Sequence, residues 1–579
     1  MSGLFRKLGT AVGLGGGHGA RLEKAKRTLE RGDHGQASKL FFELARDGDA
    51  EAQFELARLY QTGKGVVGSA GDAVHWLRKA ADQNHLEARY LLALVLTYGA
   101  RPPADVADHT QSLSVLFPHG LGVEPDHAEA RRWALLAAEA GHTESMALIG
   151  YLLAAGWGGE IDAAQAAKWY ERAAAEDSAQ ALLGLGTLLA GGWLGEPDHR
   201  RAAELYRRAA ELGTPTAAYY LGLEYLYGFA SKRDEEQAAH WLGKAAELGN
   251  SSAQRALGQL YLHGMGLERD ASRGETLLRR AALVGDTEAM ALLGDLHRTG
   301  GGLLDPNPTE AANWYRMAAE LGHKPSQRIY GLLFIGGIGV PKDAVQARTW
   351  LTRAADQGDG EAQCRLGTLM AEGIGGPKDL KGAETLFRRA ADQGVADAVY
   401  SLGLMAQSGA GTERNSTAAM DWYRKAAEQG SAMARFRLGA GYAAGDGVPQ
   451  DYAQAIIWTR PAAEAGIALA QVNLGRFLMQ GLGCEPDYVE AELWLRKAVD
   501  AGEVVAMTAL GELYAHWRPD KNMAEGRHWL TRGASAGDRR AADLLSAILH
   551  APDASDAGAK VGDETGAAPE TKGGEPSTA

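Results

Sequence analysis

The chain has 579 residues, 45% of them apolar and 23% charged, the make-up of a soluble globular protein. Its 60 basic and 73 acidic side chains leave a net charge of −13, which speaks against general polyanion binding, because nucleic-acid affinity rests on Lys and Arg neutralising phosphates. Two cysteines, Cys364 and Cys484, exclude a disulfide framework or thiolate zinc sites and suit a reducing compartment.

Residues 1–20, MSGLFRKLGTAVGLGGGHGA, start with positive charge but break any apolar run at Gly13, Gly15, Gly16 and Gly17. A secretory signal needs a continuous apolar stretch, so this segment reads as a flexible leader rather than a cleaved signal. Leu4, Phe5, Leu8 and Val12 share one helical face beside Arg6 and Lys7, so weak peripheral membrane contact is the alternative. No run reaches the roughly 20 apolar residues needed to span a bilayer, and a cytoplasmic location is expected.

From residue 21 to 550 one pattern recurs. Aligning on the residue that ends each AAxxG-like stretch gives anchors at Gly48, Asn84, Gly141, Asp177, Gly213, Gly249, Gly285, Gly322, Gly358, Gly394, Gly430, Gly466, Gly502 and Gly537. Most are 36 residues apart; single intervals of 35, 37 and 57 are the exceptions. Length alone suggests about four domains, but a constant period marks one repeat array. Eight positions before each anchor stands a large apolar residue, and ten of the 13 tryptophans occupy that column. Trp422 and Ala426 share a helix face, so the column reads as a core knob beside a small hole. A second helix follows each anchor, as in SAMARFRLGAGYAAG from Ser431, and ends at a Gly-rich turn. Its repeated glycine (Gly222, Gly258, Gly294, Gly439 and others) costs about 1 kcal/mol of helix propensity, which points to close packing by a neighbouring backbone. Asp451 and Asp487 read as N-caps of the next tryptophan-bearing helix. The expected fold is all-α: a solenoid superhelix of antiparallel helix pairs, with an extra pair at about 21–46 and a closing helix at about 539–549.

The 57-residue interval places an irregular insertion near 99–119, GARPPADVADHTQSLSVLFPH. It is a repeat remnant, a loop over the groove, or a partner-binding element whose contacts include Leu116 and Phe117. Residues 551–579 hold six acids and two lysines with few large apolar groups, and read as a disordered acidic tail.

AQFELARLYQTGKGV from Ala52, AQRALGQLYLHGMGL from Ala253 and ARFRLGAGYAAGDGV from Ala434 resemble the Sel1-like repeat, a relative of the tetratricopeptide repeat. With DxxxAxxWYxxAAxxG the resemblance covers roughly 21–550. It implies a right-handed superhelix acting as a non-enzymatic scaffold or adaptor for a protein or peptide. It also leaves open an envelope-associated regulatory or host-interaction role and, remotely, a cell-wall hydrolase. By analogy with tetratricopeptide repeats, the helix after each anchor lines a concave face. Six residues past successive anchors that face carries Phe54, Tyr90, Tyr219, Arg255, Arg328, Tyr400 and Phe436, the candidate partner contacts, although the same column also fits ordinary family packing. Recurrent basic pairs such as Arg78-Lys79 and Arg424-Lys425 read as a solvated, dipole-compensating helix face. No zinc, P-loop or nucleophile-elbow motif is present, so no cofactor or catalytic residue is assigned.

Overall fold

The computed structural model describes residues 15–99, 124–302, 304–411 and 413–550. Contacts divide the chain into two compact units, Met1–Leu321 and Gly322–Ala579. Within each unit, helices follow one another as antiparallel pairs, and among the described residues no strand occurs. Each repeat supplies an A helix directly after its anchor and a B helix that runs up to the next. Ala50–Thr62 and Ala70–Asp82 are an example. An extra pair, Gly15–Glu30 and His34–Arg46, precedes the first anchor. It begins at Gly15, inside the stretch expected to be leader. The closing helix is Arg539–His550.

The anchors are the turns between repeats. Asn250 N–H reaches back to Ala245 O at 3.0 Å, a closure that requires Gly249 at φ 90°. Two anchors are not glycine, Asn84 (φ 65°) and Asp177 (φ 55°), and among the described residues these are the only non-glycines with positive φ. Asn and Asp bear this region best of the residues with a Cβ. At the other end of each B helix the expected caps are present: Asp451 accepts from Gln454 N–H at 2.9 Å and Asp487 from Glu490 N–H at 2.8 Å.

The expected tryptophan column is buried in most repeats, as at Trp133, Trp241 and Trp314, and the residue after it is buried still more completely. Seven positions before the anchor stand Leu77, Leu242, Leu278, Tyr315, Leu351, Tyr423, Leu495 and Leu530, every one of them fully buried. Apart from Leu77, whose repeat has Ala57 at that position, this column presses on the glycine nine residues past the previous anchor. A methyl group at Gly294 would come within 2.6 Å of the Tyr315 ring, at Gly403 within 2.5 Å of Tyr423, and at Gly222 within 2.7 Å of Leu242. The repeated glycine admits this side chain and, as the sequence suggested, the neighbouring backbone too: a methyl group at Gly258 would lie 3.1 Å from Gly274 O and one at Gly439 3.0 Å from Ala455 O. The tryptophans flank the knob. Trp422 is only half-buried, and its neighbour Tyr423 fills the hole.

The 57-residue interval has a simple layout. Leu86–Tyr98 and His127–Glu139 form an ordinary A–B pair, so the extra chain falls between them in sequence, and residues 100–123 fall outside the described residues. No described helix is long and apolar enough to cross a membrane. Cys364 is buried and Cys484 half-buried, both as free thiols; burial pushes the Cys364 thiol up to about 12.

Replacing Gly294 by Ala tests the knob contact. An unhindered helical Gly→Ala change stabilises by about 1 kcal/mol, and Gly243→Ala, with nothing within 4 Å, should do so. Gly294→Ala should instead cost about 1–3 kcal/mol through overpacking, read as opposite shifts of the urea midpoint.

Candidate partner-binding surface

Each A helix starts with an N-cap one residue past its anchor, and at several seams that cap meets the residue six past the preceding anchor. His85 Nδ1 accepts from Ala88 N–H at 3.2 Å while its ring stacks on Phe54, centroids 4.5 Å apart. His142 accepts from Ser145 N–H at 3.1 Å and lies 4.8 Å from the Tyr90 ring. Asp286 caps Ala289 N–H at 2.8 Å and takes Arg255 Nε at 3.1 Å. Asp359 caps Ala362 N–H at 2.8 Å and takes Arg328 Nε at 3.4 Å. The two columns match chemically within this one chain. Phe54 and Tyr90 face His caps, and Arg255 and Arg328 face Asp caps. The apolar Cys364 and Phe436 belong to the clusters against which the apolar caps Val395 and Ile467 pack.

These contacts revise the candidate list. Phe54 and Phe436 are buried, each 9% exposed, and offer no free ring. In the first unit Tyr90, Tyr219 and Arg255 are half-buried; in the second, Arg328 and Tyr400 are. Tyr219 and Tyr400 precede Asn250 and Ser431 and lie instead beside Tyr220 and Tyr423, at 5.5 and 5.7 Å. Burial pushes the Tyr90 phenol up to about 12 and raises that of Tyr219, so both stay protonated donors at neutral pH. Leu116 and Phe117 lie outside the described residues.

The basic pairs are not merely a wet face. Second members lie over the tryptophan three residues earlier, Lys79 over Trp76 at 4.5 Å and Lys497 over Trp494 at 4.1 Å, as does the single Arg353 over Trp350 at 4.3 Å. Their first members, with Arg460, cross to the next repeat. Arg78 meets Glu129 at 2.7 Å and Arg279 meets Glu310 at 3.0 Å, and Arg460 pairs with Glu490. Glu129, Glu310 and Glu490 in turn accept the indole N–H of Trp133, Trp314 and Trp494 at 3.0–3.1 Å. At these sites arginine, carboxylate and indole thus form an inter-repeat chain, on a helix face that remains largely exposed as expected. For WYRKAAEQG, Lys425 covers Trp422 at 5.6 Å and Arg424 Nη2 donates to the Tyr442 hydroxyl at 3.2 Å.

A further surface was missed by the sequence reading. In the first unit the loops joining A to B helices expose Ile161 (57%), Trp193 (59%), Tyr227 (61%) and Phe229 (57%). His199 stacks on Phe229 at 5.0 Å, and Tyr227 lies 5.5 Å from it. A signal was present: the three tryptophans outside the repeat column, Trp157, Trp193 and Trp517, all fall at or just after the ends of A helices.

Glu490 gives a pH test. Its hydrogen bond from Arg460 holds its carboxyl below the ordinary value of 4.5 against the opposing effect of burial. The stabilisation is complete above that ordinary value and is lost as pH falls through the lower folded-state value. Glu490→Gln should therefore flatten the fall in thermal midpoint below about pH 5 while leaving the slope above pH 6 unchanged.

A protein-family model for the Sel1 repeat matches residues 50–85, 113–142, 143–178, 177–214, 215–250, 251–286, 287–323, 325–359, 360–395, 396–431, 432–467, 468–503 and 504–538. A protective antigen present in uropathogenic Escherichia coli strains, which displays an SLR fold, is 27% identical with a TM-score of 0.55, covering 91% of this chain and 99% of its own. A Sel1 repeat protein from Oxalobacter formigenes is 31% identical with a TM-score of 0.47, covering 57% of this chain and 93% of its own. No curated protein matches significantly.

Proposed function

The chain belongs to the Sel1 repeat family, whose members generally act as protein-interaction scaffolds, and we propose that it captures a protein or peptide along its A-helix surface. The observation that carries this reading is the column six residues past each anchor. Tyr90, Tyr219 and Arg255 in the first unit, and Arg328 and Tyr400 in the second, are half-exposed side chains of the types that dominate binding hot spots. Tyr90, Arg255 and Arg328 are already immobilised by the cap of the next repeat. A partner that meets them loses little further side-chain entropy, a cost of about 0.5–1.5 kcal/mol per flexible residue otherwise.

A second surface is favoured by the exposed aromatics of the first unit's A–B loops, because large solvent-facing apolar groups mark interaction sites. Trp193, Tyr227 and Phe229 are its core.

Crosslinking in native cells, read by mass spectrometry, identifies the partner; capture by variants then locates it. Tyr219→Ser with Arg255→Gln, and Arg328→Gln with Tyr400→Ser, should each weaken capture by about 2 kcal/mol or more at unchanged helical content by circular dichroism. Capture that survives both pairs but is lost on Trp193→Ser with Phe229→Ser moves the site to the loop edge. Capture unaffected by all three rejects both surfaces.

A further inference from the structure

In the second unit, a pocket of about 490 Å³ opens on the A-helix surface, over Ala432–Ala444, Ala468–Gln480 and the closing helix Arg539–His550. Ala440, Ala443 and Ala444 make the space by being small, and Phe477 and Tyr452 wall it, edge to face at 5.7 Å. Asn473, Arg476 and Gln480 line it with donors, and among the described residues none of the three has a hydrogen-bonding partner.

Arg476 is the anomaly. Its Nε is buried and unsatisfied, and among the described residues no carboxylate lies within 4.0 Å, whereas Arg255, Arg328 and Arg460 each have an acid. Desolvation draws its pKa below the ordinary guanidinium value, the mark of a cation held without its counter-ion. The nearest acids are already engaged. Glu512 is held by Arg540 at 2.7 Å, and Asp538 accepts from the Thr508 hydroxyl and from Arg540 N–H. On the preceding A helix Arg437 also leaves its Nε without a partner. A buried, unpaired charge is costly, and an incoming anion removes that cost.

We propose that this pocket receives the carboxylate of an Asp or Glu side chain in an extended peptide segment of the partner protein, with Arg476 as its counter-ion. This rests on the scaffold reading above and names the chemistry of one contact within it. The planar guanidinium fork matches a carboxylate in bidentate fashion, and the Asn473 and Gln480 amides supply further donors. The alanine and aromatic walls suit apolar neighbours of the acid, which makes a peptide rather than a small free acid the occupant.

The test uses the full chain and two pools of capped heptapeptides, one with Glu and one with Gln at the centre, the other six positions randomised. The wild type should retain the Glu pool at least tenfold over the Gln pool, and free glutarate should compete only weakly. Arg476→Leu should abolish that preference and raise the melting temperature, because it removes an unpaired desolvated charge; Arg476→Lys should keep a reduced preference. A structural role for Arg476 predicts the opposite, a lower melting temperature. No preference in the wild type, a preference that survives in Arg476→Leu, or glutarate competing as strongly as peptide would overturn the proposal. Partner capture through the Tyr219, Arg255, Arg328 and Tyr400 variants is read separately, so this contact can fail while the scaffold reading stands.

Discussion

The architecture depends on one close approach, repeated: a buried side chain seven residues before each anchor seated in the space left by a missing Cβ on the facing A helix. At Gly294, Gly403 and Gly222 there is no room for even a methyl group. Glycine weakens a helix taken alone, so the local penalty is repaid by packing against the B helix. Where the knob shrinks to Ala134, the corresponding small position is Ala93, and both are fully buried. The helix-to-helix distance sets where every other column falls, including the caps and the tryptophans.

Polar contacts then tie one repeat to the next. Arg78–Glu129–Trp133 and Arg279–Glu310–Trp314 join B helices across the boundary, and the cap column joins A helices. Exposed ion pairs contribute little singly, typically 0–1 kcal/mol. Here the acids are also bonded to indoles, and recurrence down the array gives the contacts their weight. In a repeat protein stability is a sum of unit terms and nearest-neighbour terms, and these links belong to the second kind.

The period, the all-helical pairing, the B-helix caps and the anchor turns were legible in the sequence, because each depends on residues close together in the chain. Asn84 and Asp177 stood in the anchor column before their left-handed backbone was known. The tryptophan column was legible as core, but its more deeply buried neighbour was overlooked because tryptophan is the more conspicuous of two adjacent apolar columns. The roles of Arg255, Arg328 and the basic pairs were not legible for a different reason. Their partners lie about one repeat away, so the charge visible locally says nothing of the acid that meets it. The pocket at Arg476 was beyond reach of any column, since it arises where three A-helix alanines coincide with an arginine one helix on.

The pairing of caps with the preceding column has a consequence for how such a chain can change. A His cap at 85 or 142 follows an aromatic, and an Asp cap at 286 or 359 follows an arginine. At these four seams a repeat therefore carries at its front the complement of its predecessor, and the predecessor places a demand on its successor. Although the backbones are interchangeable, these units are not. Shuffling them would leave the fold intact in outline and mismatch its seams, so the order of the repeats is itself written into the side chains.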